Sequence, residues 1–150
     1  MPAPLIFDQL RQGDQFALGA YRMTRDEVIA FAAQYDPQPF HLDDEAGAAN
    51  PVFGRLSASG WHTVMVMYRL MDKYWKERGL RNLAGAGVDA VRWLAPVYPD
   101  DLLTGTVEVI MARPSASRAD AGIMTAKVVL HNQHDRKVAT MQVTALFERD

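Results

Sequence analysis

Two short stretches of this 150-residue chain carry side chains that could move protons or stabilise developing charge. The first is Tyr35-Asp36-Pro37-Gln38-Pro39-Phe40-His41-Leu42-Asp43. Pro37 and Pro39 fix their own φ and restrict the residues before them, Asp36 and Gln38. The loop is therefore stiff, and it holds a carboxylate and an imidazole five residues apart. An acid/base pair is useful when both groups reach one reacting centre without reordering. The same spacing also suits a plainer arrangement, in which Asp36 ends a helix, Asp-Pro makes a turn and His41 is incidental.

The second stretch is Leu56-Ser57-Ala58-Ser59-Gly60-Trp61-His62-Thr63, where small residues lead into a helical pattern. A helix N-terminus presents unpaired N–H groups and partial positive charge, and Gly60 has no side chain to block a ligand. That combination could hold an oxyanion. Ser59 capping the helix and Gly60 permitting close packing are structural roles that coexist with it. His62 lies on the helix beside this point and is read as lining, not as a catalytic group.

Other matches are weaker. Gly85-Ala86-Gly87-Val88-Asp89-Ala90 fits G-x-G-x-x-A, but no strand is evident before it and a strand, not a helix, follows. His131, His134 and Asp135 could in principle hold a metal, yet they sit at a hairpin with no third ligand type nearby, and no metal site is expected. Ser57 and Ser59 lie outside a G-x-S-x-G elbow, which argues against a serine hydrolase. Met65, Met67 and Met71 read as core filling beside a pocket.

The elements that must position these groups follow from local signals. Gln15 to Met23 reads as a short strand. Thr24-Arg25-Asp26-Glu27 is a capping box, Val28, Phe31, Ala32 and Tyr35 continue at helical spacing, and Pro37 stops the helix. Asp43-Asp44-Glu45 starts a short helix through Ala49. Gly60 to Arg78 is the longest helical segment; its apolar residues cover more than one stripe, which predicts a helix enclosed on most sides. Val88 to Leu94, Leu102 to Ala112, Gly122 to His131 and Lys137 to Glu148 read as strands, with Val107, Val109 and Met111 alternating with Thr106, Glu108 and Ile110. Antiparallel strands plus one enclosed helix predict an α+β fold in which a curved sheet wraps that helix.

Length and composition set the frame. The chain predicts one domain over residues 1–150, large enough to bury about 70% of its unfolded surface. Hydrophobic residues at 49% and charged residues at 23% exclude a disordered chain. With 16 Lys+Arg against 18 Asp+Glu there is no electrostatic reason to expect nucleic acid or an anionic membrane as partner. The absence of cysteine excludes disulfides, thiolate metal sites and cysteine nucleophiles. The N-terminal residues through Asp8 lack a signal-peptide pattern, and the apolar run around Trp61 to Met71 is too interrupted to span a membrane, so a cytoplasmic protein is expected.

Taken in order, Asp36-Pro37-Gln38-Pro39-Phe40-His41, Ala48, Phe53-Gly54, Ala58-Ser59-Gly60-Trp61-His62-Thr63, Val91-Arg92-Trp93 and Pro96-Val97-Tyr98-Pro99-Asp100-Asp101 resemble the MaoC-like dehydratases, the (R)-specific enoyl-CoA hydratase group. The resemblance implies a hot-dog fold. It also implies that Asp36 and His41 are the catalytic pair, that the Gly60 N–H binds the thioester oxygen, and that Phe40, Ser59, Trp61 and His62 surround the substrate. It further implies a homodimer or an assembly of dimers, acyl-CoA or another acyl thioester as substrate, and no metal or redox cofactor. Gln38 stands where many members have Asn, Ser59 where many have His, and Asp100 where glycine is usual; Asp tolerates left-handed turns. Arg55, Arg92 and Arg113 are candidates for CoA phosphates. The expected activity is hydration of a 2-enoyl thioester or the reverse dehydration. A hot-dog thioesterase and a non-catalytic acyl-thioester binding subunit are the rivals.

Overall fold

In the computed structural model, which describes residues 2–149, the chain runs β1 (Gln15–Arg22), α1 (Arg25–Tyr35), α2 (Asp44–Ala49), α3 (Gly60–Glu77), β2 (Asn82–Trp93), β3 (Leu102–Pro114), β4 (Ala121–His131) and β5 (Lys137–Glu148). Single 3₁₀ turns lie at Phe7–Gln9 and Pro39–His41. The five strands form one antiparallel sheet in the order β1-β3-β4-β5-β2. One face of β3, β4 and β5 carries Leu103, Val107, Val109, Met124, Val128, Leu130, Met141 and Phe147, all buried. Val64, Met67, Leu70, Met71 and Trp75 of α3 belong to the same core. Each such side chain taken out of water contributes roughly 1.5–3 kcal/mol. A sheet wrapped on a long helix is the hot-dog arrangement.

The helix ends follow their caps. Thr24 Oγ1 accepts from the Glu27 N–H at 3.3 Å. The reciprocal half of the box is missing, because the Glu27 carboxylate instead accepts from Tyr21 Oη at 2.7 Å. Asp36, at φ −150° and ψ 70°, leaves the helix just before Pro37. Asp43 accepts from the N–H groups of Glu45 and Ala46 and opens α2.

Several expectations need correction. β2 begins at Asn82, so Gly85 and Gly87 lie inside a strand. It is an edge strand, exposed along most of its length and bulged three times against β5, so no period-two burial marks it. The alternation in β3 fails at Met111, because a bulge between Val109 and Met111 shifts the pleat. α3 is not enclosed on most sides: Trp61, Met65 and Tyr68, at helical spacing, form an outward stripe. Met67 and Met71 are sealed in the core, as core filling requires, and only Met65 departs from that reading by facing out.

Two contacts brace the approach to α3. A Cβ on Gly47 would collide with the backbone of Arg55 and Leu56, so α2 presses directly on the lead-in chain. From the other side the Ala58 N–H donates to the Val97 carbonyl at 2.8 Å. The loop carrying Val97 is itself tied by the buried Asp101, which accepts from the Tyr98 N–H at 2.9 Å and from Gln133 Nε2 at 2.9 Å. Asp100 adopts φ 72°, the left-handed conformation that its side chain tolerates.

Candidate active site

Asp36 is placed by the end of α1, where its N–H still donates to the Ala32 carbonyl at 2.9 Å. Pro37 and Pro39 then turn the chain sharply enough for the His41 N–H to donate to the Gln38 carbonyl at 2.9 Å. This brings His41, buried at 5% exposure, beside the lead-in to α3. There the Ser57 N–H donates to the Phe40 carbonyl at 3.1 Å, and the Ser57 carbonyl lies 2.7 Å from His41 Nδ1. A carbonyl only accepts, so Nδ1 carries the proton and neutral His41 keeps its lone pair on Nε2. Nε2 in turn lies 3.4 Å from Asp36 Oδ2. With the proton on Nδ1 both of these atoms are acceptors, so the two side chains converge without a direct hydrogen bond.

The stiff loop thus delivers both groups to one place. They open onto a cavity of about 450 Å³ that Gly60, Trp61, Trp93 and Val97 also line. Gly60 is the first residue of α3, where N–H groups lack intrahelical partners. The indole of Trp93 lies across it: a Cβ on Gly60 would come within 2.5 Å of the ring, and Trp93 Nε1 donates to the Gly60 carbonyl at 2.8 Å. Glycine is therefore required here for packing.

The expected pocket residues divide. Trp61 lines the cavity, half exposed, with its ring edge-on to Trp93 at 5.2 Å. Phe40 stands behind the dyad, packing on His41 at 4.5 Å and on Phe53 at 5.2 Å. Ser59 is fully buried and reaches Asp36 instead of the cavity. His62 faces away: it stacks on Phe31 at 4.7 Å with rings 10° from parallel, and its Nδ1 has no hydrogen-bond partner among the described residues. Two steps along a helix turn a side chain by about 200°, which puts His62 opposite Gly60. Burial pushes its pKa down, partly opposed by the charge of Glu27.

Trp93 and Val97 carried no site role in the sequence. Their place opposite Gly60 depends on β2 and its following loop folding back, for which no local spacing is a signal. Arg55 lies 3.8 Å over the ring of Tyr98, whose hydroxyl donates to the carbonyl of the cavity-lining Phe53. Arg92 and Arg113 donate to the backbone carbonyls of Val91 and Pro114. His134 lies in the β4–β5 turn, where its N–H donates to Asn132.

Known proteins match this chain in sequence and in shape. A MaoC-like dehydratase from Rhodospirillum rubrum superposes with a TM-score of 0.83 at 34% identity, over 97% of this chain and 98% of the other. The uncharacterized protein YdeM of Bacillus subtilis is 31% identical over 145 residues, 95% of this chain and 98% of its own. The 3-hydroxyacyl-thioester dehydratase Z of Mycobacterium tuberculosis is 37% identical over 76 residues, 50% of each chain. The sequence model of the MaoC-like domain family matches residues 11–133, most of the length that carries the sheet, the central helix and the cavity. The chain belongs to the MaoC-like domain family.

Proposed function

We propose that this protein adds water to a 2-enoyl thioester, or removes it from the 3-hydroxyacyl thioester, with Asp36 and His41 as the acid/base dyad and the Gly60 N–H as oxyanion donor. One observation carries the reading: the Asp36 carboxylate and His41 Nε2 converge at 3.4 Å on the cavity that the first turn of α3 also borders. A relative named a 3-hydroxyacyl-thioester dehydratase supports the reaction class.

In hydration, the dyad holds a water and removes its proton as the oxygen bonds to Cβ. His41 Nε2 is suited to accept that proton, since Nδ1 is committed to Ser57. The π electrons move toward the thioester, and the negative charge on its oxygen is met by the Gly60 N–H and the positive end of α3. A donor so placed lowers the barrier by roughly 2.7–4 kcal/mol. The dyad then returns a proton to Cα, and the net change is addition of one water. No atom changes hands with a redox partner, so the reaction asks for no redox cofactor.

The acting unit is a homodimer in this reading. β2 is one of the two sheet edges, β1 being the other, and it exposes Leu83, Val88 and Trp93, with Leu94 just beyond. An exposed edge with apolar side chains is a template for another strand. A second copy added there would cover these residues, and acyl-CoA would lie along the boundary with Arg55 within reach of its phosphates. The test is purified protein with crotonyl-CoA: loss of the enoyl absorbance without thiol release supports hydration. Thiol release without hydration would make it a thioesterase, and saturable binding without turnover a binding subunit.

A further inference from the structure

Ser59 makes two hydrogen bonds that point in different directions. Its Oγ accepts from the Trp61 N–H at 3.2 Å, which caps α3, and its O–H donates to Asp36 Oδ2 at 2.8 Å. A hydroxyl can do both at once, and Ser59 is fully buried, so water does not compete for either bond. Oδ2 is also the oxygen that faces His41 Nε2. Asp36 Oδ1 has no protein donor among the described residues.

We infer that Ser59 is a positioning residue: its hydroxyl pins one oxygen of the Asp36 carboxylate against His41 and turns the other toward the bound water. This deepens the hydratase reading and rests on it. Asp36 lies where the chain leaves α1, and its N–H is the last bond to that helix. The prolines restrict its backbone but not its side-chain torsions, and the Ser59 bond supplies the missing constraint. It also links the carboxylate to the first turn of α3, so the proton-handling group and the oxyanion donor share one rigid support. Misplacing a reacting group by an ångström is enough to cost about a hundredfold in rate.

Three variants separate positioning from capping. Gly caps a helix nearly as well as Ser but has no hydroxyl, Ala has neither property, and Thr retains both. Ser59→Gly and Ser59→Ala are expected to lose about tenfold to a hundredfold in kcat on crotonyl-CoA while KM moves by less than about threefold, and Ser59→Thr to retain most of the rate. A Ser59→Gly enzyme as fast as the parent overturns the inference, because the serine would then serve only as a cap. Equal losses in Ser59→Thr and Ser59→Gly overturn it as well. A crystal structure of Ser59→Gly decides the matter independently of turnover. If the parent hydrates no enoyl thioester, the hydratase reading falls, yet the Asp36 carboxylate must still be found rotated away from His41. A carboxylate in its original orientation overturns the positioning role.

Discussion

The His41 imidazole and the Ser57 carbonyl are joined at 2.7 Å through Nδ1, and this contact decides what the other ring nitrogen can do. With a proton held at Nδ1, Nε2 is the ring nitrogen left to face Asp36 and the cavity. The lead-in to α3 that supplies this carbonyl packs directly on α2, where a Cβ on Gly47 would collide with the backbone of Arg55 and Leu56.

Gly60→Ala places a methyl against the Trp93 indole, 2.5 Å from its nearest atoms. The ring or the helix start must move, at a cost of about 1–3 kcal/mol in stability. In the proposed reaction the Gly60 N–H is the oxyanion donor and moves with the helix, so kcat is expected to fall about tenfold or more. Urea denaturation and turnover of crotonyl-CoA measure the two effects. Unchanged kcat would remove Gly60 from the reaction.

His62 should make the fold sensitive to mild acid. Its pKa is depressed by burial against Phe31, so the folded state holds it neutral where the unfolded chain would already bind a proton. The sign follows from linkage: stability is fully present above the ordinary histidine value of 6.5 and is lost as pH falls from there through the lowered folded value. His62→Phe keeps the stack and removes the titration. Thermal melts from pH 7.5 to 5 are expected to fall more steeply for the parent than for His62→Phe, and parallel curves would contradict this.

The β2 edge is expected to hold a second copy of the chain. Sedimentation should find a dimer, and Leu83→Lys combined with Val88→Lys should shift it toward monomer, since charge on an edge strand opposes strand addition. A parent that sediments as a monomer at micromolar concentration would contradict the dimer.

What could be read in the chain was what is local. Thr24, Asp43 and Ser59 mark helix starts through bonds to neighbouring residues, Pro37 marks an end by restricting Asp36, and the elements they bound lie where those signals put them. The stiff loop alone left Asp36 and His41 open to a plainer reading, and the resemblance to the MaoC-like dehydratases singled them out as a pair. The first half of β2 was not legible, because an exposed edge strand rich in glycine has no buried face to impose a period. Met111 slipped out of the β3 alternation through a bulge that pairing with β4 creates. His62 could have been placed from helical rotation alone, since it lies about 200° from Gly60. Trp93 over Gly60 and Ser59 on Asp36 join residues far apart in sequence, and no spacing encodes them.

The most direct test is the rate of crotonyl-CoA hydration by Asp36→Asn and His41→Ala beside the parent, with circular dichroism confirming that each variant is folded. Both are expected to lose about a hundredfold to ten-thousandfold in kcat, the contribution of a positioned acid or base. A folded variant of either residue that hydrates the substrate at the parental rate would contradict its place in the dyad.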